Sequence, residues 1–176
     1  MATTITVPAK YGWVLLASVS IGFQCFVVGF GMVLNRRKKY FNKEFMEKNF
    51  KEEHKKEVGD YPLPSGGYPD QGNGRYSQKL TYKEWFDFNN AQRVHQNFVE
   101  NVGIIIPATL IAGLRFPQTA AIAGGVHFLG RFLYALGYTA ESGGDKREAG
   151  AVMSHSTTIL NLVLAVITSV KLIKGL

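Results

Sequence analysis

The sequence predicts an all-α integral membrane protein, a four-helix bundle, and three observations lead there. Apolar residues gather in blocks long enough to cross a bilayer. Basic residues are concentrated in particular connections, and polar side chains recur at helical spacing within the blocks.

Residues 11–34 and residues 149–170 carry no charge, and residues 119–137 carry only Arg131. A bilayer core of about 30 Å needs roughly 20 helical residues at about 1.5 Å each, so each block is long enough to span. A fourth block, residues 98–114, carries only Glu100 and follows a polar stretch at residues 89–97. The expected spans are about 11–34, 89–114, 118–138 and 149–171, within a single domain over residues 1–176. In lipid such segments form helices, because a helix satisfies its own backbone groups. A soluble bundle is disfavoured, since the first and fourth blocks lack the polar stripe of a soluble helix. The first block is also too long for a signal-peptide core and is expected to remain as an anchor. Cys25 is the single cysteine, which excludes an intrachain disulfide.

The net charge of +7 would suit nucleic acid, but its distribution points to a membrane. Twelve of the 20 Lys and Arg residues lie between Asn35 and Phe88, the segment joining the first two spans, and Lys146 and Arg147 lie in the third connection. The second connection has only Arg115, and the N-terminal tail only Lys10. Basic residues accumulate on the cytoplasmic side of membrane proteins, so connections one and three are expected in the cytosol. The run Asn35-Arg-Arg-Lys-Lys39, directly after the first span, sets the sign.

The first connection, residues 41–87, reads as an extended cytosolic loop in two parts. Residues 41–57 are highly charged, with Phe41, Phe45, Met46 and Phe50 at spacings that form one apolar stripe on a helix. Two readings stand side by side: a helix lying along the headgroups, or a solvated charged helix or disordered arm. Residues 59–78, rich in Gly, Pro, Asp, Asn and Tyr, read as irregular, and helical character returns around Tyr82, Trp85 and Phe86. Pro117 is placed to open the third span, and Pro107 to kink the second. Gly124, Gly125 and Gly130 are expected to allow close helix packing.

Polar groups inside spans are costly and usually face a cavity or a partner. On the second span Arg93, Asn97 and Glu100 share one helical face, with Gln96 flanking it and His95 projecting almost oppositely. On the third, His127, Arg131, Tyr134 and Tyr138 recur at spacings of four, three and four. The expected topology places the start of the second span and the end of the third at similar depth. Arg36 and Arg37 close the first span at that level, and Arg147 opens the fourth. One reading is structural: Glu100 neutralises Arg93 or Arg131, and the tyrosines are interfacial. The other is an anion site, because the arginines outnumber the single carboxylate and guanidinium groups grip carboxylates. The ligand expected there is small and polyanionic, with amides for Asn97 and Gln96 and an amine for Glu100. The histidines show no metal-ligand spacing, and neither a phosphate-binding loop nor a nucleophile elbow occurs.

At Phe88-Asn-Asn-Ala-Gln-Arg-Val-His-Gln-Asn-Phe-Val-Glu100 the chain resembles the MAPEG proteins (membrane-associated proteins in eicosanoid and glutathione metabolism), above all the type-three microsomal glutathione transferases. The resemblance continues through Gly130-Arg-Phe-Leu-Tyr-Ala-Leu-Gly-Tyr138 and Lys146-Arg-Glu-Ala-Gly-Ala151. It implies a homotrimer in the endoplasmic reticulum or the outer mitochondrial membrane, with glutathione as co-substrate between subunits. Arg93, Asn97, Glu100, Tyr134 and Tyr138 match glutathione-contacting positions of one subunit, and Arg131 is counted with them. Arg37 and His95 match positions that reach the ligand from the adjacent subunit. Arg147 matches the arginine that activates the thiol and is the expected catalytic residue. Asn101 and Gly103, where many relatives carry an aromatic residue and a proline, and the expanded first connection depart from the family pattern.

The implied chemistry is attack of the glutathione thiolate on a lipophilic electrophile, or reduction of a lipid hydroperoxide. A free thiol has a pKa near about 8.5, so a nearby guanidinium that lowers it raises the reactive fraction at neutral pH. The alternatives are a non-catalytic lipid-binding protein on the same fold, or an accessory subunit of a membrane assembly.

Overall fold

A computed structural model describes residues 6–140 and 144–175, so residues 141–143 of the third connection lie outside the described residues. Among the described residues the chain is helical, with no strand. Helix α1 (Tyr11–Val28) passes through a π-helical turn, Gly29–Leu34, into α2 (Asn35–Tyr40), giving one helix over Tyr11–Tyr40. Helix α3 (Lys43–Val58) starts at Asn42, whose side chain accepts the Phe45 N–H at 2.9 Å, and ends at Gly59 with φ 87°. Helix α4 (Tyr82–Gly113) opens on a capping box: the Glu84 carboxylate accepts the Thr81 N–H at 2.9 Å, and Thr81 Oγ1 accepts the Glu84 N–H at 3.4 Å. Pro117 stands at the start of α5 (Pro117–Tyr138), and a 3₁₀ turn, Gly144–Arg147, leads into α6 (Glu148–Ile173).

Among the described residues three helices are long and apolar enough to cross a membrane: Tyr11–Tyr40, Pro117–Tyr138 and Gly144–Ile173. The expected second span lies on α4, which runs 32 residues with Pro107 inside it. Its polar first half, from Tyr82 through Asn97, lowers its apolarity below that of the other three.

By internal contacts the chain divides into two units, Met1–Phe26 with Asn97–Leu176, and Val27–Gln96. In the first unit Val14, Ala108, Ala112, Ala120 and Ala165 form a small-residue core. Tyr11 donates its hydroxyl to the Leu110 carbonyl at 2.9 Å, and Gln24 Nε2 donates to the Phe128 carbonyl at 3.0 Å. The two C-terminal helices approach closely: a β-carbon at Gly130 would lie 2.9 Å from Met153 Cβ, and one at Gly150 would lie 2.7 Å from Tyr134 Cα. Gly124 likewise abuts Ala17, whereas nothing lies within 4 Å of a β-carbon at Gly125, so the packing expectation applies to two of the three glycines. Buried polar groups pair between helices, His127 Nδ1 of α5 with the Ser154 carbonyl of α6 at 3.1 Å and Asn161 Nδ2 of α6 with Thr109 Oγ1 of α4 at 2.9 Å.

The second unit has an aromatic core of Tyr40, Phe41, Phe50 and Phe88 with Val33, Met46 and Ala91. The apolar stripe of α3 therefore faces protein, because Met46 and Phe50 are buried against these rings, and the charged face is left exposed. Residues 59–81 pack on this core through Leu63, Tyr76 and Leu80 and are irregular apart from two short 3₁₀ turns, Ser65–Gly67 and Ser77–Lys79.

Candidate functional site

The first unit carries most of the polar residues singled out in the sequence. Arg131 is 1% exposed, held on α5 between aromatic rings. Its Cζ lies 4.1 Å from the Phe98 ring centroid and 4.4 Å from that of Tyr134, and its Nη1 donates to Asn97 Oδ1 at 2.7 Å. The Tyr134 and Tyr138 rings lie 5.5 Å apart, and the Arg147 guanidinium sits 4.9 Å from the Tyr138 ring. Asn97, Arg131, Tyr134, Tyr138 and Arg147 thus form a continuous row in which two guanidinium groups flank a pair of tyrosine rings, each cation lying against a π face. Arg147 Nη1 also donates to the Gly144 carbonyl at 2.8 Å, fixing the guanidinium against its own turn.

The row has unused hydrogen-bonding capacity. Among the described residues Nε and Nη2 of Arg131 are buried with no hydrogen-bond partner, and Gln24 Oε1 is a buried acceptor in the same condition. Buried polar groups are normally paired, so an orphaned pair of guanidinium donors marks a place for an acceptor. Glu100 is exposed one turn beyond Asn97, and Arg131 pairs with Asn97 rather than with Glu100.

The second unit holds the remaining candidates. Arg93 is exposed on α4, its Nη1 donating to Gln96 Oε1 at 3.1 Å. The His95 ring packs on the π-helical turn, so closely that a β-carbon at Gly29 would lie 2.7 Å from Nε2. Arg37 is 3% exposed, and its Nη1 and Nη2 donate to the carbonyls of Gly66 at 3.2 Å and Asp70 at 2.5 Å. Its Cζ stacks 4.2 Å from the Tyr68 ring and 5.2 Å from that of Phe88. Arg36 and Tyr40 donate to the Asp87 carboxylate at 2.9 Å and 2.6 Å. Burial pulls the Asp87 pKa up, but these two partners and the charge of Arg36 outweigh it and hold the carboxyl below the usual range.

Asp70 is the residue that sequence reasoning missed. It is 6% exposed, and its carboxylate accepts the N–H groups of Gly72, Gly74 and Ser77 at 2.7, 2.9 and 2.7 Å and the Ser77 hydroxyl at 2.7 Å. Burial raises its pKa, yet the bonds from Ser77, Gly72 and Gly74 prevail and the carboxyl is held low. The available signal was Asp70-Gln-Gly-Asn-Gly74: an aspartate before alternating glycines is a turn in which the carboxylate gathers backbone N–H groups, and Gly72 has φ 105°. Among the described residues no group of His, Cys, Asp and Glu could hold a metal ion.

The MAPEG family pattern matches residues 14–167. The chain belongs to the MAPEG family. It is also similar to an uncharacterized protein of Synechocystis sp. (strain ATCC 27184 / PCC 6803 / Kazusa), 35% identical over 83 residues that make up 47% of this chain and 59% of that protein. The chain thus spans about three fifths of the length of that relative. The matched region contains every candidate residue from Arg37 to Arg147 and the three apolar helices almost entire, so this MAPEG chain is a membrane protein by family and by helix composition.

Proposed function

We propose that this MAPEG protein is a membrane-bound glutathione transferase that conjugates glutathione to lipophilic electrophiles and reduces lipid hydroperoxides. We place it as a homotrimer of four-helix subunits in the endoplasmic reticulum membrane, with connections one and three in the cytosol. The observation that carries this reading is Arg131, a guanidinium buried among apolar helices with Nε and Nη2 unpaired. A buried cation with free donors suits an anionic ligand, and glutathione offers two carboxylates and a thiolate.

In the proposed division of labour Arg93, Asn97, Arg131, Tyr134 and Tyr138 bind the tripeptide, and Glu100 meets its amine. Arg147 stabilises the thiolate from its place over Tyr138. Attack on an electrophilic carbon forms one C–S bond and displaces a leaving group or adds to a double bond. With a hydroperoxide the thiolate takes the distal oxygen as the O–O bond breaks, leaving an alcohol and a glutathione sulfenic acid. A second glutathione converts that to the disulfide and water. The bilayer supplies the apolar partner, so no protein nucleophile is needed.

Glutathione titration of the purified protein, followed by thiolate absorbance, tests the reading. Thiolate formation near neutral pH is expected, with Arg147→Ala raising the apparent thiol pKa while leaving affinity within a few-fold. Binding without thiolate formation would assign the fold to a non-catalytic role, and no binding would remove glutathione altogether.

A further inference from the structure

Residues 59–81 have little regular structure and yet are held at many points, all within the second unit. One side chain, Asp70, closes the segment on itself by collecting three backbone N–H groups and a hydroxyl. Another, Arg37, holds it from outside, donating to the Gly66 and Asp70 carbonyls while its guanidinium stacks on Tyr68. Asp70 therefore takes part twice, its carboxylate shaping the turn and its carbonyl receiving Arg37. The turn that Asp70 shapes then reaches α4, where the Gly72 carbonyl accepts Trp85 Nε1 at 2.7 Å and Asn89 Nδ2 at 3.1 Å.

Trp85, Asn89 and Arg93 follow one another at intervals of four on α4, so they lie on a single helical face with about 5–6 Å between successive β-carbons. Gly72 covers the first two positions of that stripe, and Arg93 is the third. Gln71 and Asn73 flank Gly72 and are exposed, which leaves their side chains available beside the stripe.

We propose that Arg37 and Asp70 are a coupled pair of positioning residues that fix residues 59–81 as a wall beside Arg93, and that this wall sets the affinity for glutathione. The proposal rests on the reading above, in which Arg93 binds glutathione. It gives Arg37 a different role from the one the family resemblance implies. Arg37 acts through the segment it holds rather than by touching the ligand, because its two terminal nitrogens are engaged with carbonyls and its faces with rings. The wall holds Trp85 and Asn89 of the stripe in place, and freedom removed there is freedom that glutathione would otherwise have to quench on binding.

A double-mutant cycle on the full chain in detergent tests this, using Arg37→Lys, Asp70→Asn and the double variant. Glutathione affinity is measured by calorimetry, and the KM for the electrophile is measured alongside. Each single variant is expected to weaken glutathione binding about fivefold to tenfold, the scale of one positioning hydrogen bond. The double variant should be no weaker than the worse single one, because both act through one wall, and the electrophile KM should not move. Effects that multiply would mean that Arg37 contacts the ligand itself, and unchanged binding in Asp70→Asn would mean that the wall has no part in affinity. Either result overturns the proposal while native binding keeps the broader reading. A native protein that binds no glutathione removes both. Should the first variants fail to fold by circular dichroism and size, Asn89→Ala deletes one of the two hydrogen bonds that join the Gly72 carbonyl to the stripe and leaves that from Trp85. A binding loss of about threefold is expected for that variant, and native affinity in it would overturn the proposal.

Discussion

The paired helices α5 and α6 and the irregular residues 59–81 satisfy their backbones in opposite ways. In α6 the hydroxyls turn back on their own helix, Ser154 to the Gly150 carbonyl at 2.9 Å, Thr157 to that of Met153 at 2.9 Å and Thr158 to that of Ser154 at 2.8 Å. Contact between the two helices then comes from glycines meeting backbone and from His127, whose ring lies within hydrogen-bond distance of the Ser154 carbonyl and the Thr158 hydroxyl. Residues 59–81 have no such ladder, and their carbonyls and N–H groups are taken up by Arg37, Asp70, Trp85 and Asn89. The difference follows from the surroundings each sequence is built for. Inside lipid each helix must close its own hydrogen bonds, whereas a segment outside lipid can be irregular provided that buried side chains collect its polar groups.

The largest expected effect tests whether the two regions do belong to different surroundings. With Cys25 replaced by Ser and a cysteine placed at Asn73, an impermeant thiol reagent should label sealed microsomes from the cytosolic side almost completely. Labelling only after the membrane is opened would put the irregular segment on the other side. Next in size is Phe88→Ala. Phe88 is fully buried, and its ring lies 5.0 Å from that of Phe41 and beneath Arg37, so truncation should destabilise the aromatic unit by about 3–5 kcal/mol. Protease cleavage within residues 59–81 should rise sharply in that variant, and a resistant segment would show that it does not depend on the core.

A smaller change addresses the helix pair. Gly150→Ala places a methyl group against the Tyr134 backbone, a position with no flexible side chain to move, and overpacking of this kind costs about 1–3 kcal/mol. Gly125→Ala meets nothing within 4 Å, and the higher helix propensity of alanine should leave thermal unfolding in detergent equal to or slightly above that of the native protein. Equal behaviour of the two variants would mean that close packing is not what joins the helices.

The smallest effect comes from acid. The carboxyl groups of Asp70 and Asp87 are both held below the ordinary aspartate value of 3.8. A depressed pKa adds stability above the unfolded value, and that stability is lost as the pH falls through the folded value. Pepsin cleavage of residues 59–81 should therefore increase as the pH drops below about 3.9, while α5 and α6, joined by glycine contacts, remain uncut. Cleavage that does not vary with pH would sever the link between these carboxylates and the segment.

The amino-acid order alone located the apolar helices, because charge-free runs and hydrogen-bond closure in lipid leave few alternatives. It also placed Pro117 at the start of α5 and put His127, Arg131 and Tyr134 on one face, which the structure buries together. Helical spacing likewise aligned Arg131, Tyr134 and Tyr138 on one face of α5, whereas the hydrogen bond from Arg131 to Asn97 and the seat of Arg147 on the Tyr138 ring join separate elements. What the sequence could not decide was the partner of each polar group. Arg37 matches, by the family resemblance, a position that reaches the ligand from the adjacent subunit, and its partners within this chain are carbonyls 29 and 33 residues away. Residues 41–57 left two readings open, and only the rings of Tyr40, Phe41 and Phe88 show that the α3 stripe faces protein. Asp70 was passed over within a segment read as irregular. Periodicity describes what is near in the chain, whereas these contacts depend on which distant surfaces meet, and that is decided by tertiary packing.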